Sequence, residues 1–183
     1  MGPTPLDGSR GPSEHFTWRE AAARPDPDKA RETLLYLQRH ANLWPASVRV
    51  AENCEVIRSL VGRPVRVTCG LRPPPIEGAL TSQHQAGQAW DIQVDGMTPR
   101  HLLRIIRTAA EQGSLPHPLR QVIAETLHGT SSDLDLPMSR GSGRWVHVAV
   151  MGVGGEPFTR PSDDPWMLSW APPGERRAYV WAS

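Results

Sequence analysis

Ala89-Trp90-Asp91-Ile92-Gln93-Val94 reads as a strand with two unlike faces. Side chains alternate across a strand, so Trp90, Ile92 and Val94 share one face while Asp91 and Gln93 lie on the other. Trp145-Val146-His147-Val148-Ala149-Val150 repeats the pattern, with three valines on one face and His147 opposite them. In Gln121-Val122-Ile123-Ala124-Glu125, Glu125 likewise opposes Val122 and Ala124. Three strands therefore each offer an apolar face on which helices can pack. Each also places one metal-competent or proton-transferring group on the other side.

Working outward, the strands are expected over 64–69, 88–94, 120–125 and 144–151, with a final edge strand over 178–181. Helical spacing predicts a short helix from Thr17, where Thr17 and Glu20 have capping-box spacing. A second helix is expected over 29–41 on the stripe Leu34, Leu35, Leu37 and Ala41. A third opens at Pro45, carries Val50, Cys54, Ile57 and Val61 on one side, and ends at Gly62. A fourth begins at Thr98-Pro99 and ends near Gln112-Gly113. Helices first and strands later, without βαβ alternation, predict an α+β domain: a central, mainly antiparallel sheet with helices on one face and a cleft on the other. Residues 1–14 read as a flexible leader, 15–152 as the main domain and 153–183 as a Pro- and Trp-rich extension packed on it. The polar stretch 126–143 reads as a long loop.

The chain has 183 residues, 38% of them hydrophobic and 21% charged, which fits one globular domain with its own core. A formal net charge of +1 and no block of like charge give no basis for a nucleic-acid or membrane-surface partner. No apolar run is long enough to cross a bilayer. The first residues lack the cationic-then-apolar order of a cleavable export signal, so release by a partner, carriage on a particle or a cytoplasmic site is expected. Cys54 and Cys69 are the only cysteines, too few for a disulfide framework, and read as two buried thiols. Oligomeric state is left open.

The segment Ser82-Gln83-His84-Gln85-Ala86-Gly87-Gln88-Ala89-Trp90-Asp91-Ile92 concentrates the chemistry. Gly87 lies in a turn that lets His84 and Asp91 meet at one point. With His147 they form a set of two imidazoles and one carboxylate. Catalytic zinc is held by three protein ligands and keeps a fourth position open, where the pKa of water falls to about 7. Among the other histidines, His15, His40, His101, His117 and His128 read as structural or solvated.

Ser82-x-His84-x-x-Gly87-x-Ala89-x-Asp91-Ile92, followed by Trp145-Val146-His147-Val148, resembles the zinc D-Ala-D-Ala carboxypeptidase, peptidoglycan endopeptidase and Hedgehog group. Val67-Thr68-Cys69-Gly70-Leu71-Arg72 is similar to that group's strand ending in Ser-Gly-Tyr-Arg, with Cys69 in place of Ser. His15-Phe16-Thr17-Trp18-Arg19-Glu20 resembles the opening of its phage-type members. The resemblance runs from about His15 to Val150 and implies the Hedgehog/DD-peptidase fold.

It further implies Zn2+ on His84, Asp91 and His147, with Arg72 beside the scissile carbonyl or the substrate carboxylate. Ser82, Gln83 and Trp145 would contact substrate, and Ser82 and Gln83 could also fix the tautomer of His84. Many relatives carry a catalytic Glu three residues before the last ligand. That position is Arg144 here, and the candidate base becomes Glu125, at the end of the preceding strand. The activity expected is hydrolysis of an amide bond in peptidoglycan stem peptides, by a carboxypeptidase or an endopeptidase. The alternative is a catalytically weakened zinc-binding structural or cell-wall-binding module of a phage or injection particle. A hydrolase of a non-cell-wall peptide or small amide is the third reading.

Overall fold

The computed structural model describes residues 11–74, 82–151, 166–170 and 178–181. The helices are α1 (Trp18–Ala21), α2 (Pro27–Arg39), α3 (Trp44–Val61) and α4 (Pro99–Glu111). The strands are β1 (Arg66–Cys69), β2 (Ala89–Gln93), β3 (Leu119–Thr126), β4 (Arg144–Val150), β5 (Trp166–Trp170) and β6 (Ala178–Trp181). They form one six-stranded sheet in the order β1-β2-β4-β3-β5-β6. Every described pairing is antiparallel except β3 with β5.

Local chemistry accounts for the helix ends. Thr17 accepts from the backbone N–H of Glu20 while the Glu20 carboxylate accepts from that of Thr17, the capping box expected of α1. Asp26 caps α2 and Thr98 caps α4, each followed by Pro, which loses no hydrogen bond in a first turn. Gly62 closes α3 at φ 62°, a conformation glycine adopts without a Cβ penalty. α2 starts and stops earlier than expected. His40 leaves helical geometry at φ −120°, ψ 69°, so Ala41 falls in a separate 3-10 turn (Ala41–Leu43). Leu37 is then buried, whereas Leu35 is exposed. At the first strand Pro64, which has no N–H to give a ladder, stays outside, and β1 begins at Arg66.

The core lies between the helices and one face of the sheet. Trp90, Ile92, Val122, Ala124, Val146, Val148 and Val150 meet Val50, Cys54 and Ile57 of α3 and Leu102 and Ile106 of α4, all fully buried. Phe16 seals the edge of this layer, its ring 5.5 Å from that of Trp90. These contacts follow the predicted strand parity: the apolar positions are the ones the helices cover.

Two segments differ from the sequence reading. The stretch 126–143 is anchored rather than free: it contains a 3-10 helix (Ser131–Asp135), and Leu134 and Met138 enter the core. Met138 exchanges backbone hydrogen bonds with Gly96 and Met97. β5 was not anticipated, and its parallel pairing makes the sheet mixed. Of the expected leader, residues 1–10 lie outside the described residues. Ser13 and His15 are tied to α3, because the Ser13 hydroxyl and the His15 N–H both donate to Glu55 at 2.7 Å.

Candidate metal centre

The sheet register sets polar side chains in a row. Cys69 is opposite Asp91, Asp91 opposite His147, and His147 opposite Ile123. Glu125 and Trp145 face each other one step further along the same side. His84 joins from outside the sheet on a tight turn. The turn is closed by backbone bonds from Gln85 to Ser82, Gly87 to His84 and Gln88 to Gln83. Gly87 adopts φ 67°, and a Cβ there would also sit 3.1 Å from the Leu43 carbonyl and the Ser47 hydroxyl. This turn covers the polar face, so His84, Asp91 and His147 are all buried.

Three ligand-type atoms converge. His147 Nδ1 lies 2.9 Å from Asp91 Oδ1. His84 Nε2 lies 3.2 Å from Asp91 Oδ1 and 3.2 Å from His147 Nδ1. The far nitrogen of each ring decides the proton count. His84 Nδ1 is 2.7 Å from the Gly70 carbonyl, which can only accept. His147 Nε2 is 2.9 Å from Gln83 Oε1, also an acceptor. Both far nitrogens therefore carry the proton, and in the neutral rings both near nitrogens present lone pairs.

With both rings neutral, two lone pairs and a carboxylate oxygen face one another; with a ring protonated, that ring donates to Asp91 instead. A divalent cation at their centre would satisfy all three acceptors at once. Tetrahedral zinc with bonds of about 2.0–2.1 Å places its ligands about 3.3–3.4 Å apart, close to the observed triangle. The donor set fits a divalent ion.

Arg72 borders this triangle. Its Nη2 donates to Asp91 Oδ2 at 3.0 Å and its Nε to Cys69 Sγ at 3.2 Å, leaving Nη1 without a partner among the described residues. Burial disfavours the Arg72 charge, but Cys69, Asp91 and Glu125 outweigh that and raise its pKa above the ordinary value. For Asp91, burial likewise opposes ionisation. The neighbouring His84, with hydrogen bonds to His147 and His84, more than offsets it and holds the carboxyl well below the usual range. Burial, with Asp91 nearby, pushes the Cys69 thiol up, so it stays protonated at neutral pH.

The expected site residues are placed as follows. His84, Asp91, His147 and Arg72 come together. Gln83 is there as well, but it orients His147 rather than His84, whose partner is the Gly70 carbonyl. Gly70 itself packs against the end of α1, where a Cβ on it would fall 2.1 Å from the Ala21 carbonyl. Trp145 donates its indole N–H to Glu125 Oε2 at 2.5 Å, fixing that carboxylate on the same face. Ser82 serves the turn through its backbone carbonyl. Arg144 points its guanidinium at the Pro137 carbonyl and is held in the loop.

Sequence reading missed one metal-competent neighbour. Cys69 Sγ, a His84 nitrogen and an Asp91 oxygen lie within 4.8 Å of one another, so this trio could also hold an ion. The histidine–carboxylate triangle is tighter, with every edge at 3.2 Å or less. Cys69 and Cys54 are both buried and unpaired, as expected.

A model of the family described as Peptidase M15 matches residues 15–123. No curated protein and no solved structure matches the chain. The family match takes in His84 and Asp91 and stops before His147, which pairs with Asp91 across β2 and β4, and before Glu125, which stands opposite Trp145 on β3. That match spans more than half of the 183 residues, and the chain belongs to the peptidase M15 family, whose members are typically zinc-dependent metallopeptidases.

Proposed function

We propose that this protein is a zinc peptidase that hydrolyses an amide bond in peptidoglycan stem peptides, with His84, Asp91 and His147 as the metal ligands. The observation that carries the reading is the buried triangle of acceptor atoms, whose outer nitrogens are already committed to Gly70 and Gln83. Zinc held there supplies a Lewis acid and makes water nucleophilic at neutral pH.

The protein's own groups do the rest. Glu125, buried on the same face and steadied by Trp145, takes a proton from the attacking water and returns it to the leaving amine nitrogen. Arg72 keeps its charge under all working conditions, and its Nη1 donates to the carbonyl oxygen as negative charge develops there. Asp91 holds Arg72 in place, so one carboxylate serves both the metal and the oxyanion donor. Ser82 and the edge of Trp145 contact the peptide. The peptidoglycan substrate is supported by the resemblance of the Ser82–Ile92 and Trp145–Val148 segments to cell-wall peptidases.

The test is incubation of zinc-loaded protein with cell-wall sacculi, beside a Glu125→Ala variant, with products followed by mass spectrometry. Release of peptide fragments by the parent but not the variant, at equal zinc content, is expected. One zinc per chain with no cleavage by the parent would instead favour a metal-binding module of a phage or injection particle. Arg144, at the position where many relatives carry the catalytic glutamate, is the observation on that side.

A further inference from the structure

The ladder between β2 and β4 ends at Ile92 and Val146, leaving Arg144 and Trp145 beyond it. One side chain extends the attachment. Gln93 closes β2 on the same face as Asp91, is buried, and its Nε2 donates to the Arg144 carbonyl at 2.5 Å. The other end of the amide is committed too, because Gln93 Oε1 accepts from Arg66 Nη2 at 2.9 Å. A flipped amide would set its N–H groups against a guanidinium and its oxygen against a carbonyl, so one orientation is fixed. Asp95 in turn holds the Arg66 guanidinium through both Nη1 and Nη2.

The Arg144 carbonyl belongs to the peptide that leads into Trp145. On its other side β4 still pairs with β3, where Trp145 faces Glu125 and Arg144 faces Thr126. The Trp145 indole N–H donates to Glu125 Oε2. Arg66, Gln93, Trp145 and Glu125 thus run across β1, β2, β4 and β3, one step along the face from the row of Cys69, Asp91 and His147. A buried carboxylate such as Glu125 takes its direction from the protein donors around it rather than from water.

We propose that Gln93 is a positioning residue for the Glu125 carboxylate, acting through the Arg144–Trp145 peptide and the Trp145 indole. The inference rests on the peptidase reading for what Glu125 does. It adds a residue whose described hydrogen bonds reach none of the three proposed metal ligands. Without the Gln93 amide, the start of β4 loses its tie to β2 and the indole shifts with it. Oε2 then loses its donor, and the base moves off the line to the attacking water. Misplacement by about 1 Å costs up to about 10²-fold in rate.

The test uses the zinc-loaded full chain with isotope-labelled tryptophan, followed by nuclear magnetic resonance. The chain has seven tryptophans. The indole N–H signal missing from Trp145→Phe belongs to Trp145, and its position in Glu125→Ala marks the broken bond. Gln93→Glu keeps the acceptor for Arg66 but has no donor for the Arg144 carbonyl, whereas Gln93→Leu lacks both. In each, the Trp145 signal should move toward its Glu125→Ala position with zinc content unchanged. On a synthetic stem peptide, kcat should fall by about 10- to 100-fold with KM little changed. Adding Gln93→Glu to Trp145→Phe should cost little more than Trp145→Phe alone, because both act through one bond. A Trp145 signal that stays at its parent position in both Gln93 variants would overturn the proposal, whatever happens to kcat or to the melting temperature. Fully additive losses in the double variant would overturn it as well. The two readings fail separately. Cleavage of sacculi with an unmoved signal removes the positioning role alone, whereas a signal that moves in a chain that cleaves nothing removes the peptidase and leaves Gln93 setting the carboxylate.

Discussion

Asp91 and His147 are direct partners in the β2–β4 register, and Oδ1 of one lies 2.9 Å from Nδ1 of the other. A cross-strand pair this close is fixed by the ladder rather than by loop geometry. Of the three proposed ligands, two are thus set by the ladder, and only His84 depends on a turn.

The orientation of His147 rests on one contact, from its Nε2–H to Gln83 Oε1. Gln83→Leu removes the acceptor that sets the tautomer, while leaving all three proposed ligands in place. Loss of such an orienting partner costs about 10–100-fold in metal affinity. Competition with a chelator of known affinity should show a weaker zinc constant in that range, with stoichiometry still near one. An unchanged constant would mean that the ladder alone orients His147.

Two donor sets overlap at this centre, and cobalt substitution separates them. Thiolate ligands give Co2+ an intense charge-transfer band in the near ultraviolet that nitrogen and oxygen ligands do not. Cys69 is protonated at neutral pH and already accepts from Arg72, so the cobalt form should lack that band. Cys69→Ser should then retain one metal per chain. A thiolate band that vanishes in Cys69→Ser would assign the looser Cys69, His84 and Asp91 trio instead.

Arg72 is engaged through two different nitrogens, Nε to Cys69 and Nη2 to Asp91. Lysine keeps the charge but cannot span both contacts with one planar group. Arg72→Lys should leave zinc bound and reduce kcat/KM by about 10²-fold or more, the scale of losing one donor to a developing oxyanion. If most of the loss appears in KM, Arg72 binds a substrate carboxylate and not the reacting carbonyl.

How much of this was readable from residues alone follows from the range of each interaction. The alternation in 89–94 and 145–150 is local, and it located the buried face and put Asp91 and His147 on the opposite one. The capping box at Thr17 and the Pro starts of α2 and α4 are local too. What escaped is set by contacts distant in the chain. β5 is a short Trp-Met-Leu-Ser-Trp segment that becomes a strand through parallel pairing with β3, 44 positions away at Val122 and Trp166. His84 is oriented by Gly70, 14 residues earlier, and His147 by Gln83, 64 residues earlier. Nothing in either neighbourhood announces its partner. The burial of Leu134 and Met138 was hidden inside a stretch whose composition is that of a loop.

The N-terminal segment offers a pH test away from the metal. Glu55 receives the Ser13 hydroxyl and the His15 N–H at 2.7 Å, and the His15 ring lies 2.9 Å away. Burial works against its charge, yet the bonds from His15 and Ser13 prevail and lower its pKa. A carboxylate whose folded pKa is depressed adds stability in full above its unfolded value of about 4.3. That contribution is lost as pH falls through the lower folded value. Residues 11–16 should accordingly come off α3 in acid before the sheet unfolds, seen as faster proteolysis ahead of Phe16 when the pH drops below about 4.3. Glu55→Ala should produce the same release at neutral pH and lower the unfolding free energy by no more than about 1 kcal/mol, the scale of contacts screened by solvent. Because Glu55 makes no contact with His84, Asp91 or His147, zinc content should not change. A loss of metal in that variant would show that the segment and the centre are coupled through Phe16, whose ring lies 5.5 Å from that of Trp90, the residue before Asp91.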